Sequence, residues 1–494
     1  MSLKFGTISN KLVDAIERVV GSTNIFTEIF DRIPYSRDNC PYRWSEKFKF
    51  LPDIVVTPET VEQVAEVVKL ANENRIPITQ SGGRTGMSGG CVPKYGGILM
   101  DMKKMDKIIE LNEEDLYVRV QPGITNLRLL NELERKGYLG PHEPGSSPSS
   151  TIGGSLSTSG VNYRQGVTGA LIDEVLGLEV VLASGEVIRA GRNSARTNLG
   201  KSSVGYDLAH LFLGDFGSLG VKTEAVLKII PLPETQEIHV VVFPDFESTL
   251  KAIMAIQRRR LPGIFTYTAY DREYMEKAVS IYGGEVYGGA VMIGIMGDAK
   301  VVDYTRREAE EIWKKHGGKD LGPEESKAEW ENRYDVYPKM IAGLPRDDIK
   351  PAARWHYEDP TVNLSKLAQF LRKCHEIVKK YGFDDWGGEA WIYDQTSTLA
   401  AIMYGWNEKD EENWEKYCRC ANEIVMVGIE LGGSISNCLG YDGRKVGRHG
   451  LELLLSEYKK HELKTLVKIK KALDPNCIMN PGVMGLDELW GEAA

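Results

Sequence analysis

A chain of 494 residues, 42% hydrophobic and 27% charged, has the composition of a folded globular protein, and its length predicts roughly three domain-sized units or two large ones. The net charge of −9, with no cationic cluster beyond Arg258–Arg260, argues against a nucleic-acid partner, because phosphate contacts need clustered lysine and arginine. The N-terminus lacks the apolar core of a signal peptide and no stretch suits a membrane span. Seven cysteines without a C-x-x-C pair build neither a disulfide nor a zinc framework. A cytoplasmic enzyme with reduced thiols is therefore expected.

In chain order, residues 1–46 read as an N-terminal helical segment. "DIVVTP" predicts a strand, after which Thr57 is placed to cap a helix with Pro58 at its first position and Glu59 in its first turn. Val61, Val64, Val68 and Ala71 recur at helical spacing, so they form its buried face, and Asn72–Asn74 end it. "RIPIT" is the next strand. "GGILMDMKKMDKIIEL" and "LYVRVQPG" favour strands, and "TNLRLLNELERKG" a helix closed by Gly137. "VLGLEVVLASGEVIRAG" predicts a hairpin turning at Ser184-Gly185, and Pro231 and Pro233 precede a domain boundary near Thr235. Beyond it "TQEIHVVVFPDF" reads as a strand. "FESTLKAIMAIQRRR", "LSKLAQFLRKCHEIVKKYG" and "ENWEKYCRCANEIVMVGIEL" read as amphipathic helices, with Cys418 and Cys420 facing different sides of the last. The chain closes with a helix and a proline-punctuated tail, "ELKTLVKIKKALDPNCIMNPGVM".

Two tracts stand out. "SGGRTGMSGG" (Ser81–Gly90) leaves a strand with glycine at five of ten positions and hydroxyls between them; "PGSSPSSTIGGSLSTSG" (Pro144–Gly160) repeats that chemistry. Exposed N–H groups and hydroxyls with little bulk suit a diphosphate held by dipoles rather than ion pairs. Neither the lysine of a P-loop nor the G-x-G-x-x-G spacing of a dinucleotide fingerprint is present. Two such tracts flanked by strands point to one extended nucleotide cofactor.

The series "PITQSGGRTGMSGG", "PGSSPSSTIGG", "VLGLEVVLASGEVIRAG", "GYDLAHLFLGDFGSLGV" and "LDPNCIMNPG" resembles the FAD-linked oxidases of the vanillyl-alcohol-oxidase fold, with wording most similar to the D-type subunits of glycolate oxidase and to flavin-dependent D-lactate dehydrogenases. The resemblance implies an α+β protein: a two-subdomain PCMH-type FAD-binding domain over residues 47–235, an α+β cap (substrate) domain over 236–455, and a C-terminal helix and tail over 456–494 returning to the FAD domain. It implies FAD contacts from Ser81, Gly82, Gly83, Arg84, Thr85, Gly86, Met87 and Ser88, from Gly145, Ser146, Ser149, Thr151, Gly153, Gly154, Ser157 and Gly160, and from Gly220 and Val221, with Asn480 near the flavin ring. Arg84 stands where some branches carry a flavin-linking histidine, so the FAD is expected to be non-covalent.

The lactate and glycolate branch carries two cap histidines seven positions apart and a later Glu-His pair that hold a metal. Here Trp386 and Tyr393 stand at the histidine positions, and Cys438 and Leu439 replace the Glu-His pair, so metal-free chemistry is expected. Trp386, Trp391 and Tyr393 would then line an aromatic pocket. By the same resemblance, a substrate carbon gives a hydride to flavin N5 while a base takes the hydroxyl proton. Tyr393, Glu389 and His449 are candidates for that base. Arg333, Arg444 and Arg448 are candidates to hold a carboxylate or phenolate. The expected activity is oxidation of a CH–OH group of a 2-hydroxy acid or of an aromatic or bulky alcohol. The alternatives are a vanillyl-alcohol-oxidase-like oxidase or hydroxylase of para-substituted phenols, and redox-neutral group transfer resembling alkyl-glycerone-phosphate synthase. An electron-transfer protein or iron–sulfur partner is compatible with such an enzyme, with any cluster on another chain, and a homo-oligomer is expected.

Overall fold

The computed structural model describes residues 3–46, 48–191, 206–282, 284–334, 353–393, 398–407, 409–436 and 450–492. Two compact units result. The first takes in Met1–Gly160, Ala170–Pro231 and Leu439–Ala494, the second Val161–Gly169 and Leu232–Cys438.

In the first unit, strands β1 (Ile25–Phe26), β2 (Ile54–Val56), β3 (Ile78–Ser81) and β4 (Ile98–Asp101) form a sheet in the order β1-β2-β4-β3, parallel except for β1. Parallel strands need a crossover, and the helix Val61–Glu73 supplies it, burying Val64, Val67, Val68 and Ala71. Its cap is Thr60, not the expected Thr57: the Thr60 hydroxyl accepts the Gln63 N–H at 3.3 Å. Thr57 is drawn instead into the core, where its hydroxyl meets Asn24 Oδ1 at 3.2 Å. Tertiary hydrogen bonding thus moves the helix start by three residues.

Strands β5 (Ile108–Asn112), β6 (Tyr117–Val120), β7 (Tyr138–Leu139), β8 (Val175–Val181), β9 (Val187–Gly191), β10 (Val221–Lys228) and β11 (Ile230–Pro231) follow. β7 pairs with β11, and the other five make an antiparallel sheet in the order β5-β6-β10-β8-β9. The β8–β9 hairpin turns at Gly185 (φ 85°), a conformation that favours glycine. The unit is completed by residues far along the chain. Ile78 N donates to Ile478 O, and Asn480 N to Ile78 O, both at 2.7 Å, so the tail extends the edge of β3.

The second unit is built on β12 (Thr235–Phe243), β13 (Ile264–Asp271), β14 (Gly289–Gly297), β15 (Lys319–Asp320), β16 (Ala353–Glu358), β17 (Thr361–Val362), β18 (Asp384–Ile392) and β19 (Thr398–Asn407). They form one antiparallel sheet in the order β15-β12-β14-β13-β18-β19-β16, with β17 beside β19. Helices Phe246–Arg259, Ala299–Lys315, Leu367–Lys380 and Glu411–Glu430 share one hydrophobic core with Tyr267, Ala269, Ala390, Ile402 and Tyr404 of the sheet. Cys418 and Cys420, two positions apart and so on different sides of the helix, are both buried in that core because the last of these helices is enclosed on a broad arc. Strand residues alternate in direction, so Thr268, Tyr270, Glu389 and Trp391 rise from the opposite face of the sheet; Tyr270 is directly across from Glu389 and Thr268 from Trp391. Among the described residues no helix is long and apolar enough to cross a membrane.

Candidate functional site

The first unit brings the two glycine- and hydroxyl-rich tracts into backbone contact. A Cβ on Gly82 would lie 2.2 Å from Thr151 Oγ1, and one on Gly83 would lie 1.9 Å from the Ser149 carbonyl oxygen. Neither glycine has a positive φ, so what these positions require is the absence of a side chain. A third tract joins them: a Cβ on Gly217 would strike Gln80 Oε1 at 2.1 Å, and one on Gly90 the Phe216 ring at 2.7 Å. Asp215 braces this third turn by accepting from Gly217 N and Leu219 N, and Lys222 Nζ meets its carboxylate at 2.6 Å in a buried ion pair. Lys222 also reaches Ser157 Oγ at 3.1 Å, whose hydroxyl in turn donates to Gly153 O.

Along the first loop, the N–H groups of Gly83 through Met87 donate to no group among the described residues. Consecutive unsatisfied N–H groups are what an anion requires of a backbone cradle. Ser81 Oγ and Gln80 Oε1 are likewise buried with no partner among the described residues. His142, just before the second tract, is buried with both ring nitrogens unpaired, and burial pushes its pKa down to about 3, so its ring is neutral.

The second unit carries a different chemistry. Tyr163 packs its ring against Trp391 (centroids 4.5 Å) and edge-on to Trp330 (5.8 Å), and Phe265 meets Trp330 at 5.5 Å. Arg333 stacks over Trp330 and Tyr334 at 4.1 and 4.3 Å, donating to the Trp330 carbonyl and the Tyr334 hydroxyl; Arg164 lies 5.7 Å over Trp330. Glu389 accepts the Trp391 indole N–H at 2.5 Å, and the Tyr270 hydroxyl donates to Glu329 at 2.8 Å. Glu389 as a residue keeps some solvent contact, yet enough protein surrounds its carboxyl that burial pushes its pKa up to about 7. Burial raises Glu329 as well. A carboxyl poised near neutrality within reach of aromatic rings can take a proton from a bound alcohol.

A family model described as the FAD binding domain matches residues 52–191, and one described as the C-terminal domain of FAD linked oxidases matches residues 232–484. The chain belongs to the FAD-linked oxidase family. It is 28% identical over 488 residues to "Glycolate oxidase subunit GlcD" of Bacillus subtilis (strain 168), covering 97% of each chain. It is 27% identical to a "D-lactate dehydrogenase" of Anaerostipes hadrus, covering 88% of this chain and 90% of that one. Its fold is that of p-cresol methylhydroxylase with substrate bound, at a TM-score of 0.78, 21% identity and 96% coverage of both chains. As a member of the family the chain is an FAD-dependent oxidoreductase.

Glycine-only contacts that let two tracts touch, unsatisfied loop N–H groups and the orphaned Ser81 hydroxyl suit the pyrophosphate and hydroxyl chain of FAD. Of the residues named from the sequence, Ser81–Ser88, Ser149, Thr151, Gly153, Gly154 and Ser157 belong to this one locality. Arg84, at φ 55°, stacks its guanidinium 4.5 Å over Tyr35 and donates to the Pro34 carbonyl. Gly145 and Ser146 begin the turn in which Ser146 O accepts from Ser149 N and Ser150 N, and Gly160 abuts His142. Gly220 packs on Val180, and Val221 is buried in β10 opposite Val181. Asn480 spends its side-chain amide on the carbonyls of Gly90 and Phe216, tying the tail to the first and third tracts.

Of the catalytic candidates, Glu389 and Arg333 lie in the aromatic cluster, and Tyr393 follows directly after β18. Trp386 sits at a bulge between Asp385 and Gly387, its indole on Asp384 and Lys277 Nζ 4.4 Å over its ring. Arg444, Arg448, His449, Cys438 and Leu439 lie outside the described residues. Sequence reasoning missed Asp38, which accepts Gly89 N at 3.0 Å, as well as Tyr163, Tyr270 and Glu329. None sits in a motif; only the sheet register and chain crossings place them.

One further cluster bears on metals. Asp271, Glu273 and His375 bring ligand atoms within 4.8 Å of one another. Both ring nitrogens of His375 are, however, committed to carboxylates, Asp385 at 2.7 Å and Asp271 at 2.8 Å. Burial would lower its pKa, but those two partners raise it to about 10. With both ring nitrogens held by carboxylates, this cluster forms an ion-paired clamp joining the helix Leu367–Lys380 to β13 and β18.

Proposed function

We propose that the chain oxidises the CH–OH group of a 2-hydroxy acid or of an aromatic or bulky alcohol, with Glu389 receiving the hydroxyl proton and no metal taking part. The observation that carries the reading is a carboxyl held near neutrality, oriented by the Trp391 N–H, on a sheet face lined with aromatic rings. FAD, when bound, supplies the hydride acceptor. The facing glycines of Ser81–Ser88 and of Gly145–Gly160, with Gly220, Val221 and Asn480, are the proposed FAD contacts, held without a covalent link. Trp391, Trp330 and Tyr163 would orient an apolar substrate body by ring contact. Arg333, fixed between two rings, would hold a carboxylate or a developing phenolate, and Tyr393 completes the polar side. The names of the relatives, glycolate oxidase and D-lactate dehydrogenase, favour a 2-hydroxy acid; the ring density favours a bulky side chain on it.

The test is anaerobic bleaching of the purified yellow holoprotein by glycolate, lactate, larger 2-hydroxy acids, aromatic alcohols and para-substituted phenols, with and without added zinc or manganese. Bleaching by at least one CH–OH donor without metal, lost in Glu389→Gln, is expected. Dependence on added metal would overturn the metal-free reading, and failure of every alcohol would favour redox-neutral group transfer.

A further inference from the structure

We propose that Glu329 is a positioning residue for the proton chemistry of Glu389, acting through Tyr270, so that the two carboxyls take up and release protons as a coupled pair. The inference rests on the reading of Glu389 as proton acceptor and names what sets the pH at which it works.

The register of β13 on β18 puts Tyr270 directly across from Glu389, which places their side chains on the same face at the closest cross-strand spacing. Glu329 comes from a separate element, the helix Pro323–Glu331, and accepts the Tyr270 hydroxyl at 2.8 Å. With its hydrogen committed to Glu329, the Tyr270 oxygen offers only lone pairs to its other neighbours. That favours a protonated Glu389 over an ionised one. The negative charge of Glu329 acts in the same direction, because two carboxylates in a partly desolvated site resist ionising together.

The other groups facing this pair are few among the described residues. The Trp391 N–H, on Glu389's own strand, favours the carboxylate. Tyr274 of the helix Arg272–Tyr282 stacks on Tyr270 at 4.5 Å, and Tyr163 contributes a ring against Trp391. The cations of the cluster, Arg333 and Arg164, both stack over Trp330 beside Glu329, and across β18 the residue paired with Glu389 is Ala401, which carries no charge. Glu329 is therefore the like charge nearest in kind and in attachment to the proposed base. Nothing in its own sequence setting, "EESKAEWENR", distinguishes it from a solvated helix face.

The experiment has two readouts on the holoenzyme. In single-turnover flavin reduction, Glu329→Gln should move the acid limb of the pH profile down by about one unit, a tenfold weaker hold on the proton, while leaving the high-pH plateau in place. Glu329→Asp should restore most of the shift. An unchanged midpoint, or a plateau lowered equally at all pH, would overturn the proposal. Infrared titration of the protonated carboxyl band in the resting holoenzyme gives the second readout without turnover. Glu389→Gln should delete one band and Glu329→Gln should shift its midpoint. If no alcohol reduces the flavin but that midpoint moves, the coupling stands and the alcohol-oxidation reading falls; if the midpoint stays fixed, the coupling itself is refuted.

Discussion

If Ser81–Gly90 and Pro144–Gly160 touch as described, a steric cycle between them has a calculable outcome. Gly82→Ala sets a methyl 2.2 Å from Thr151 Oγ1, well inside the 3.0 Å that real Cβ contacts respect. Because Gly82 has no positive φ, the cost is steric alone and falls in the overpacking range of about 1–3 kcal/mol. Thr151→Ala by itself removes the cap of the helix Ile152–Thr158, whose hydroxyl accepts from Gly154 N at 3.3 Å, at about 1 kcal/mol. In the double variant the offending oxygen is gone, and the nearest remaining atom of residue 151 is its Cβ at 3.4 Å, an ordinary contact. The pair should therefore cost little more than the lost cap, leaving a coupling of about 1–3 kcal/mol. Denaturant unfolding of the apoprotein reads this coupling, and fluorescence titration with FAD reads what it does to binding. Gly82→Ala should weaken binding by about tenfold or more, Thr151→Ala by a few fold, and the double variant no more than Thr151→Ala. Additive losses would mean that the two tracts do not meet, and the cofactor cradle would have to be drawn elsewhere. Gly83→Ala, by contrast, confronts the backbone oxygen of Ser149 and should have no such rescue.

Two further outcomes follow from buried charge. His375, near 10 in the folded chain against about 6.5 unfolded, contributes stability that is complete below about pH 6.5 and is lost as pH rises through 10, with a ceiling of about 4–5 kcal/mol; alkaline unfolding curves should be steep for the wild type and flattened in His375→Gln, and parallel curves would refute the clamp. Asp215→Ala should lower thermal stability by about 3–5 kcal/mol, because it leaves Lys222 buried without its carboxylate, whereas Asp215→Ala/Lys222→Met should recover part of that loss; equal melting points for the two variants would contradict the ion pair as drawn.

What could be read from the sequence was set by local chemistry. The two tracts, the hairpin at Gly185 and the helices after Thr235 announce themselves through glycine, hydroxyl and periodic apolar positions within a few residues. What escaped depends on partners remote in the chain. Thr60 displaces Thr57 as cap because Asn24 claims Thr57. Trp386 takes its place from a bulge that no composition rule marks. The guanidinium of Arg84 finds Tyr35 and Pro34, about fifty positions earlier in the chain, which its own neighbours do not announce. Tyr270 and Glu329 become partners only when β13 and a helix some sixty residues later are brought together, as their separation of 59 positions requires.

The reliance of β3 on Ile478, Met479 and Asn480 sets a schedule for biogenesis. The strand that launches the first glycine loop is made about four hundred residues before the peptide that finishes its edge. Until then Asn480 cannot brace Gly90 against Phe216, so a nascent chain lacks the finished contact between the first and third tracts. Loss of the 478–480 stretch should leave the edge of β3 and the Gly90–Phe216 contact unbraced.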